Sequence, residues 1–224
     1  MFSIRRVVNR VFLLCLPLIF LTACSTQTLY TNTNTRLGAI ADDEFFLLLP
    51  TDIHGLSGNR KEKETVFYQS FLDAFGSRAL KTEHLKDQLY RAGLADISWR
   101  MSHAMHHLVT AHGYFNYAAE QGAHDGNKFT QLDREIAHLT QWVTRHYGLT
   151  VLPRYIGVAH IDSMGVAEAG EHIQYRVIAG IYSTERQTLE RVVSYVKKSS
   201  NQNLAILHDL DILGVLLYRE LFEL

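Results

Sequence analysis

Four histidines, His103, His106, His107 and His112, lie within one short stretch beside Met101 and Met105, in a chain with 12 histidines in all. On a helix, His103 and His107 stand four residues apart and share a face, so their imidazoles could grip one transition-metal ion. The zinc-helix motif of hydrolytic enzymes sets a glutamate next to the first histidine as general base; here that position is Ala104. A metal held by His103 and His107 would therefore be bound without the base that activates water. At about 100° per residue, His112 falls with Met101 and Met105 on the apolar side, whereas His103 and His107 face away, so the four do not form one coordination shell. The plain alternative is a set of solvated and core histidines. His54, Glu64, His124, Asp125 and His138 are further donors that no spacing selects.

A second stretch, Asp52-Ile53-His54-Gly55-Leu56-Ser57-Gly58, contains the residue types of a hydrolase triad. A nucleophile elbow reads Gly-x-Ser-x-Gly, and this stretch is one residue short of it. Members so close in sequence do not readily converge on one hydroxyl. An envelope hydrolase built on Ser57 is thus a minor reading beside a glycine turn. Gly58-Asn59-Arg60 also fails the phosphate-loop pattern. Asp209 and Asp211, two apart on the last helix, point to different sides and read as a solvated face. Of the aromatics, most fall in core stripes; Tyr182 and Tyr195 on a C-terminal hairpin are candidate anchors for a protein partner, since aromatics are enriched where protein surfaces meet.

The most specific chemistry is at Cys24. Arg5, Arg6 and Arg10 precede an apolar run from Val11 to Leu21, which ends in Leu21-Thr22-Ala23-Cys24. A basic start, an apolar core and small residues at the cut mark a segment that is removed. The run is shorter than the roughly 20 residues of a membrane span, and Pro17 interrupts it. The pattern resembles a bacterial lipoprotein signal peptide ending in a lipobox. That resemblance implies a diacylglycerol on the Cys24 thiol, cleavage before Cys24, which becomes the acylated N-terminus with palmitate-type chains, and Ser25 directing the product to the outer membrane, facing the periplasm. Acyl chains contribute roughly 0.8 kcal/mol per buried CH2, and more than one chain gives stable anchoring.

Composition narrows what is left. The chain has 224 residues and a formal charge of −1. Residues 1–23 hold three arginines and no acid, so the mature chain carries −4, with no basic run and no nucleic-acid footprint. Cys15 leaves with the signal and Cys24 is acylated, so disulfides, thiolate metal sites and cysteine nucleophiles are excluded from the folded part. The expected organisation is a signal peptide over 1–23, a lipidated N-terminus and Ser/Thr/Asn-rich tether over 24–42, and one periplasmic domain over 43–224. An edge strand around Leu29–Tyr30 is the alternative to the tether there.

The elements follow from periodicity. Phe45–Leu49, ended by Pro50, predicts a buried strand, and Asp52 to Asn59 a loop. Phe67, Phe71, Ala74 and Phe75 are spaced for a helix, Leu85 and Leu89 for a shorter one, and residues 98–121 for another. Thr130 with Asp133 resembles a capping box opening a helix through Ile136, Leu139, Trp142 and Val143. Tyr155–Ile161 predicts a strand. Tyr175, Val177, Ala179 and Ile181 alternate with Arg176, Ile178, Gly180 and Tyr182. Leu189, Arg191, Val193 and Tyr195 alternate likewise beyond the polar turn Ser183–Gln187, which makes a hairpin. Asn203 is placed to cap a final helix striped by Ile206, Leu210, Leu213, Leu217, Leu221 and Leu224. The class is α/β tending to α+β, with a mixed sheet, a C-terminal antiparallel hairpin and helices packed mainly on one face.

This order of elements, together with the lipobox, resembles periplasmic lipoproteins built on a TolB N-terminal-type domain, such as the curli secretion channel lipoprotein and the lipoprotein activator of penicillin-binding proteins. The resemblance covers about half of the mature chain. It implies a non-enzymatic interaction or assembly subunit of an envelope complex, without a cofactor, bound to the outer membrane through its lipid and able to form a homo-oligomer.

Overall fold

The hairpin organises the sheet. In the computed structural model, which describes residues 28–33, 44–56, 58–80, 82, 84–111, 126–166 and 171–222, β5 (His172–Ser183) and β6 (Thr188–Ser200) pair antiparallel through their length. β4 (Tyr155–Val166) adds antiparallel to β5. β2 (Phe46–Leu48) and β3 (Asp52–His54) both lie parallel to β4, along the same edge. β1 (Thr28–Thr33) closes the other edge, antiparallel to β6. The order is β1-β6-β5-β4-β2, with β3 also on β4. The sheet is mixed and of α/β class, as expected, and has six strands where the sequence pattern predicts four.

Both faces of this sheet are covered, and here the structure corrects the one-face expectation. Tyr175, Val177, Ala179 and Ile181 of β5 face a core shared with α1 (Arg60–Phe75) and α5 (Asn203–Phe222). Ile178 and Tyr182 face a second core, shared with α2 (Leu85–Arg91), α3 (Asp96–Ala111) and α4 (Gly126–His146). The reason is visible in β5, which is buried on both sides from Val177 onward. A strand apolar on both faces needs cover on both.

Two stretches differ from the sequence-based expectation. Residues 28–33, placed in the tether with an edge strand around Leu29–Tyr30 as the alternative, form edge strand β1; threonine is β-branched, and an edge strand needs only one partner. Asp52–His54, placed in a loop, forms β3. Pro50 stops the β2 ladder without ending the strand's course: Leu49, Pro50 and Thr51 stand opposite only Val158 and Ala159, which is a bulge at the one residue that cannot donate. The continuation of the helix at residues 98–121 beyond Ala111, and the stripe residue Leu224, lie outside the described residues.

Helices α1 and α5 pack tightly against each other. Phe67, Phe71 and Phe75 form one buried face of α1, and Ile206, Leu210, Leu213, Leu217 and Leu221 one face of α5. They cross at Gly214. A Cβ there would lie 2.3 Å from the Ser70 carbonyl carbon and 2.5 Å from the Phe71 nitrogen. Ser70 completes the crossing: its hydroxyl donates to the Asp211 carbonyl and accepts from the Gly214 N–H at 3.1 Å. Asn59 caps α1 by accepting from the Glu62 N–H at 3.3 Å. At the far end Arg191 donates to the Leu221 carbonyl, satisfying a C-terminal acceptor of α5.

Because α1 backbone, not a movable side chain, occupies the space, Gly214→Ala is expected to cost about 2 kcal/mol or more through forced separation of the helices. Val215→Ala, on the exposed side of α5, is expected to stay within about 0.5 kcal/mol. Denaturant midpoints of the two variants check this; equal midpoints would contradict the close crossing.

Candidate functional site

The bulge at Pro50 opens a cleft between β2, β3 and three helices. Its walls are Pro50 and Thr51 from the bulge, Arg60 from the start of α1, Lys86 from α2, and Ser98 and Trp99 from α3. The Ser98 hydroxyl donates to the Pro50 carbonyl and fixes α3 against the bulge. The cleft holds about 130 Å³, the space of a few waters at roughly 30 Å³ each. Organic cofactors and drug-sized ligands occupy roughly 300 Å³ or more, so the cleft is small beside a typical ligand site.

The charges around it are already engaged. Glu64, nearly buried, accepts from Arg60 Nε at 2.7 Å and from Lys86. Both cations are more than half exposed, so each bridge contributes about 0–1 kcal/mol. Their joint role is to keep a buried carboxylate paired. Lys63, one residue earlier, points into the protein beneath Gly58, where its ammonium donates to Asn203 Oδ1 at 2.6 Å. That contact takes up the side-chain oxygen expected to cap α5. Desolvation holds the Lys63 pKa below its ordinary 10.5, and the Glu62 charge opposes the shift.

The residues singled out from sequence do not converge. His103 is exposed on α3 and stacks on Trp99, ring centroids 4.9 Å apart. His107 is part of α3, with its side chain outside the described ones, and His112, His124, Asp125, Ser57 and Cys24 lie outside the described residues. Glu64 is held by the two cations, and His138 is exposed on α4. Met101 and Met105 are core residues, as the helical arc predicts. Among the described residues, no group of three or more His, Cys, Asp or Glu is placed to hold a metal ion. His54 and His160 do approach, at 5.6 Å between centroids, on β3 and β4. Both lie on the α3 side of the sheet, since Ile53 and Ile161 fill the opposite core.

Tyr182 needs correction as a surface anchor. It is 1% exposed, packed in the core under α4, and its hydroxyl donates to Asp133. The same bond explains why Thr130 and Asp133 make no capping box: α4 begins at Gly126, and Asp133 lies inside it, turned to the sheet. The Tyr195 backbone pairs with Leu29 and Val177; its side chain lies outside the described ones. What sequence reasoning missed is the cleft itself. Arg60 and Glu64 carry the one local signal, a pair spaced four apart on a helix.

No family model matches the chain, and no curated protein sequence is similar to it. Solved structures align along most of it, two of them as follows. The PelC dodecamer of Paraburkholderia phytofirmans matches 88% of this chain and 98% of its own, at 6% identity and a TM-score of 0.45. A single-substitution variant of that dodecamer matches 87% and 98%, at 6% identity and 0.44. Likeness at this level carries no functional argument. Among the described residues, no helix is long and apolar enough to cross a membrane.

Two pH effects of opposite sign follow from the buried charges. Burial raises the Asp133 pKa above 3.8, with the Tyr182 hydrogen bond opposing. The folded state then binds the proton more tightly than the unfolded one, so its contribution is complete below 3.8 and is lost as pH rises through the folded-state value. Lys63 runs the other way. The folded state releases its proton more readily, so stability rises with pH between the lowered value and 10.5. Denaturation across pH should therefore show the acid slope absent in Asp133→Asn and the alkaline slope absent in Lys63→Met. Unchanged slopes would contradict the burial of these groups.

Proposed function

We propose that the protein is an outer-membrane lipoprotein, acylated at Cys24 and facing the periplasm, whose single α/β domain serves as a non-enzymatic interaction or assembly subunit of a cell-envelope complex. The observation that carries this reading is Leu21-Thr22-Ala23-Cys24 at the end of a basic-apolar leader. The interior is in keeping with it. The buried polar side chains described above hold elements together: Ser70 joins α1 to α5, Ser98 joins α3 to the bulge, and Tyr182 joins the sheet to α4. An active site spends such groups on a substrate instead. The cleft is small, its cations are committed to Glu64, and its lining residues include no paired nucleophile and base.

Partners of such a domain are bound on its surface, and a second copy of the chain is one of them. Exposed apolar residues are available there, including Phe45, Val151 and Leu152 near the start of β4.

Radiolabelled palmitate fed to cells should enter the protein, and Cys24→Ser should abolish both labelling and fractionation with outer membranes. Identical processing and placement of the Cys24→Ser form would overturn the anchor. Turnover of a defined substrate, abolished by substituting residues of the cleft, would overturn the non-enzymatic reading.

A further inference from the structure

The anchor and the first strand are too close together for the domain to stand away from the membrane. Thr28 already pairs with Val196, and only residues 25–27 separate it from Cys24. Four extended steps reach about 14 Å at most. From Val196, β6 runs on to Ser200 toward one end of the sheet, a further ~13 Å at strand rise. The opposite end, where β6 begins at Thr188, lies about 27 Å from Val196. That end exposes more apolar surface, in Phe45, Val151 and Leu152, yet the connecting chain cannot bring it to the lipid.

We propose that the sheet end where β4 and β6 finish and α5 begins rests on the bilayer surface that holds the Cys24 acyl chains, with Leu204 and Met164 at the interface. This rests on the acylation of Cys24. Leu204 opens α5 and is 80% exposed, and Met164 near the end of β4 is 47% exposed. Both lie at the end that Cys24 reaches. Lys198, Glu171 and His172 are also exposed there; the covalent reach and the two apolar side chains set the orientation. Apolar side chains of this kind settle at the headgroup boundary when held there by an anchor. The end bearing Val151 then points away from the membrane, free to meet a partner.

The test uses the acylated full protein reconstituted into vesicles of phosphatidylethanolamine and phosphatidylglycerol. An environment-sensitive fluorophore is attached in turn to Leu204→Cys, Met164→Cys and Val151→Cys, and nitroxide-bearing lipid is added as quencher. The expected result is a loss of fluorescence at positions 204 and 164 and none at 151. Vesicle-bound protein with equal loss at 151, or with no loss at 204 and 164, would overturn the orientation while leaving the anchor standing. A blue shift at 204 without lipid quenching would overturn it in favour of a second copy covering this end. Mass spectrometry of the N-terminal peptide separates the two levels: an unmodified Cys24 would remove the anchor, and the orientation with it. Circular dichroism of each variant confirms that the fold is kept.

Discussion

A strand that is apolar on both faces cannot leave either face in water. From Val177 to Tyr182, β5 is buried on both sides, and the arrangement of the domain follows from covering it. One face takes α1 and α5, which reach the sheet together because Gly214 lets their backbones meet. The other takes α2, α3 and α4. Met105 of α3 can sit directly on the sheet because Gly180 has no side chain; a Cβ there would lie 2.6 Å from its sulfur. The bulge at Pro50 then becomes a junction, contacted by α3 through Ser98 and lying beside the cleft that α1 and α2 help to line.

Much of this was legible. The hairpin was readable because two alternating runs flank a polar turn, and α1 and α5 because their phenylalanines and leucines recur at helical spacing. The apolar character of the second face of β5, in Ile178, Gly180 and Tyr182, was also in plain view. Its meaning was not, because the helices that cover it are linked to β5 only through tertiary contacts. Tyr182 illustrates the same limit. An alternating tyrosine on a hairpin reads as a surface residue until α4 is seen to bury it and Asp133, 49 positions away, to accept its hydrogen bond.

What stayed illegible has identifiable causes. β1 was legible only as the alternative to a tether, because it is built of threonine, asparagine, tyrosine and leucine without an apolar run, and its place is decided by an open edge on β6. β3 has one apolar residue between Asp52 and His54, so its register with β4 leaves no period in the sequence. The cleft draws single residues from several elements, and of these only Arg60 announces its partner. The histidines were the opposite case. Their density suggested chemistry, but the structure sets His103 on Trp99 at the surface and pairs His54 with His160 instead.

Under the proposed anchoring at Cys24, β1 is what would join the fold to the membrane. If β1 belongs to the sheet, the domain starts at Thr28, four residues after Cys24; if it is free chain, a long tether would precede the domain. Amide hydrogen exchange of the mature protein measures this directly. Every second amide from Leu29 to Thr33, those directed at β6, should exchange far more slowly than in an unfolded chain. Exchange of all of them at the unfolded-chain rate, with β5 and β6 still protected, would contradict it.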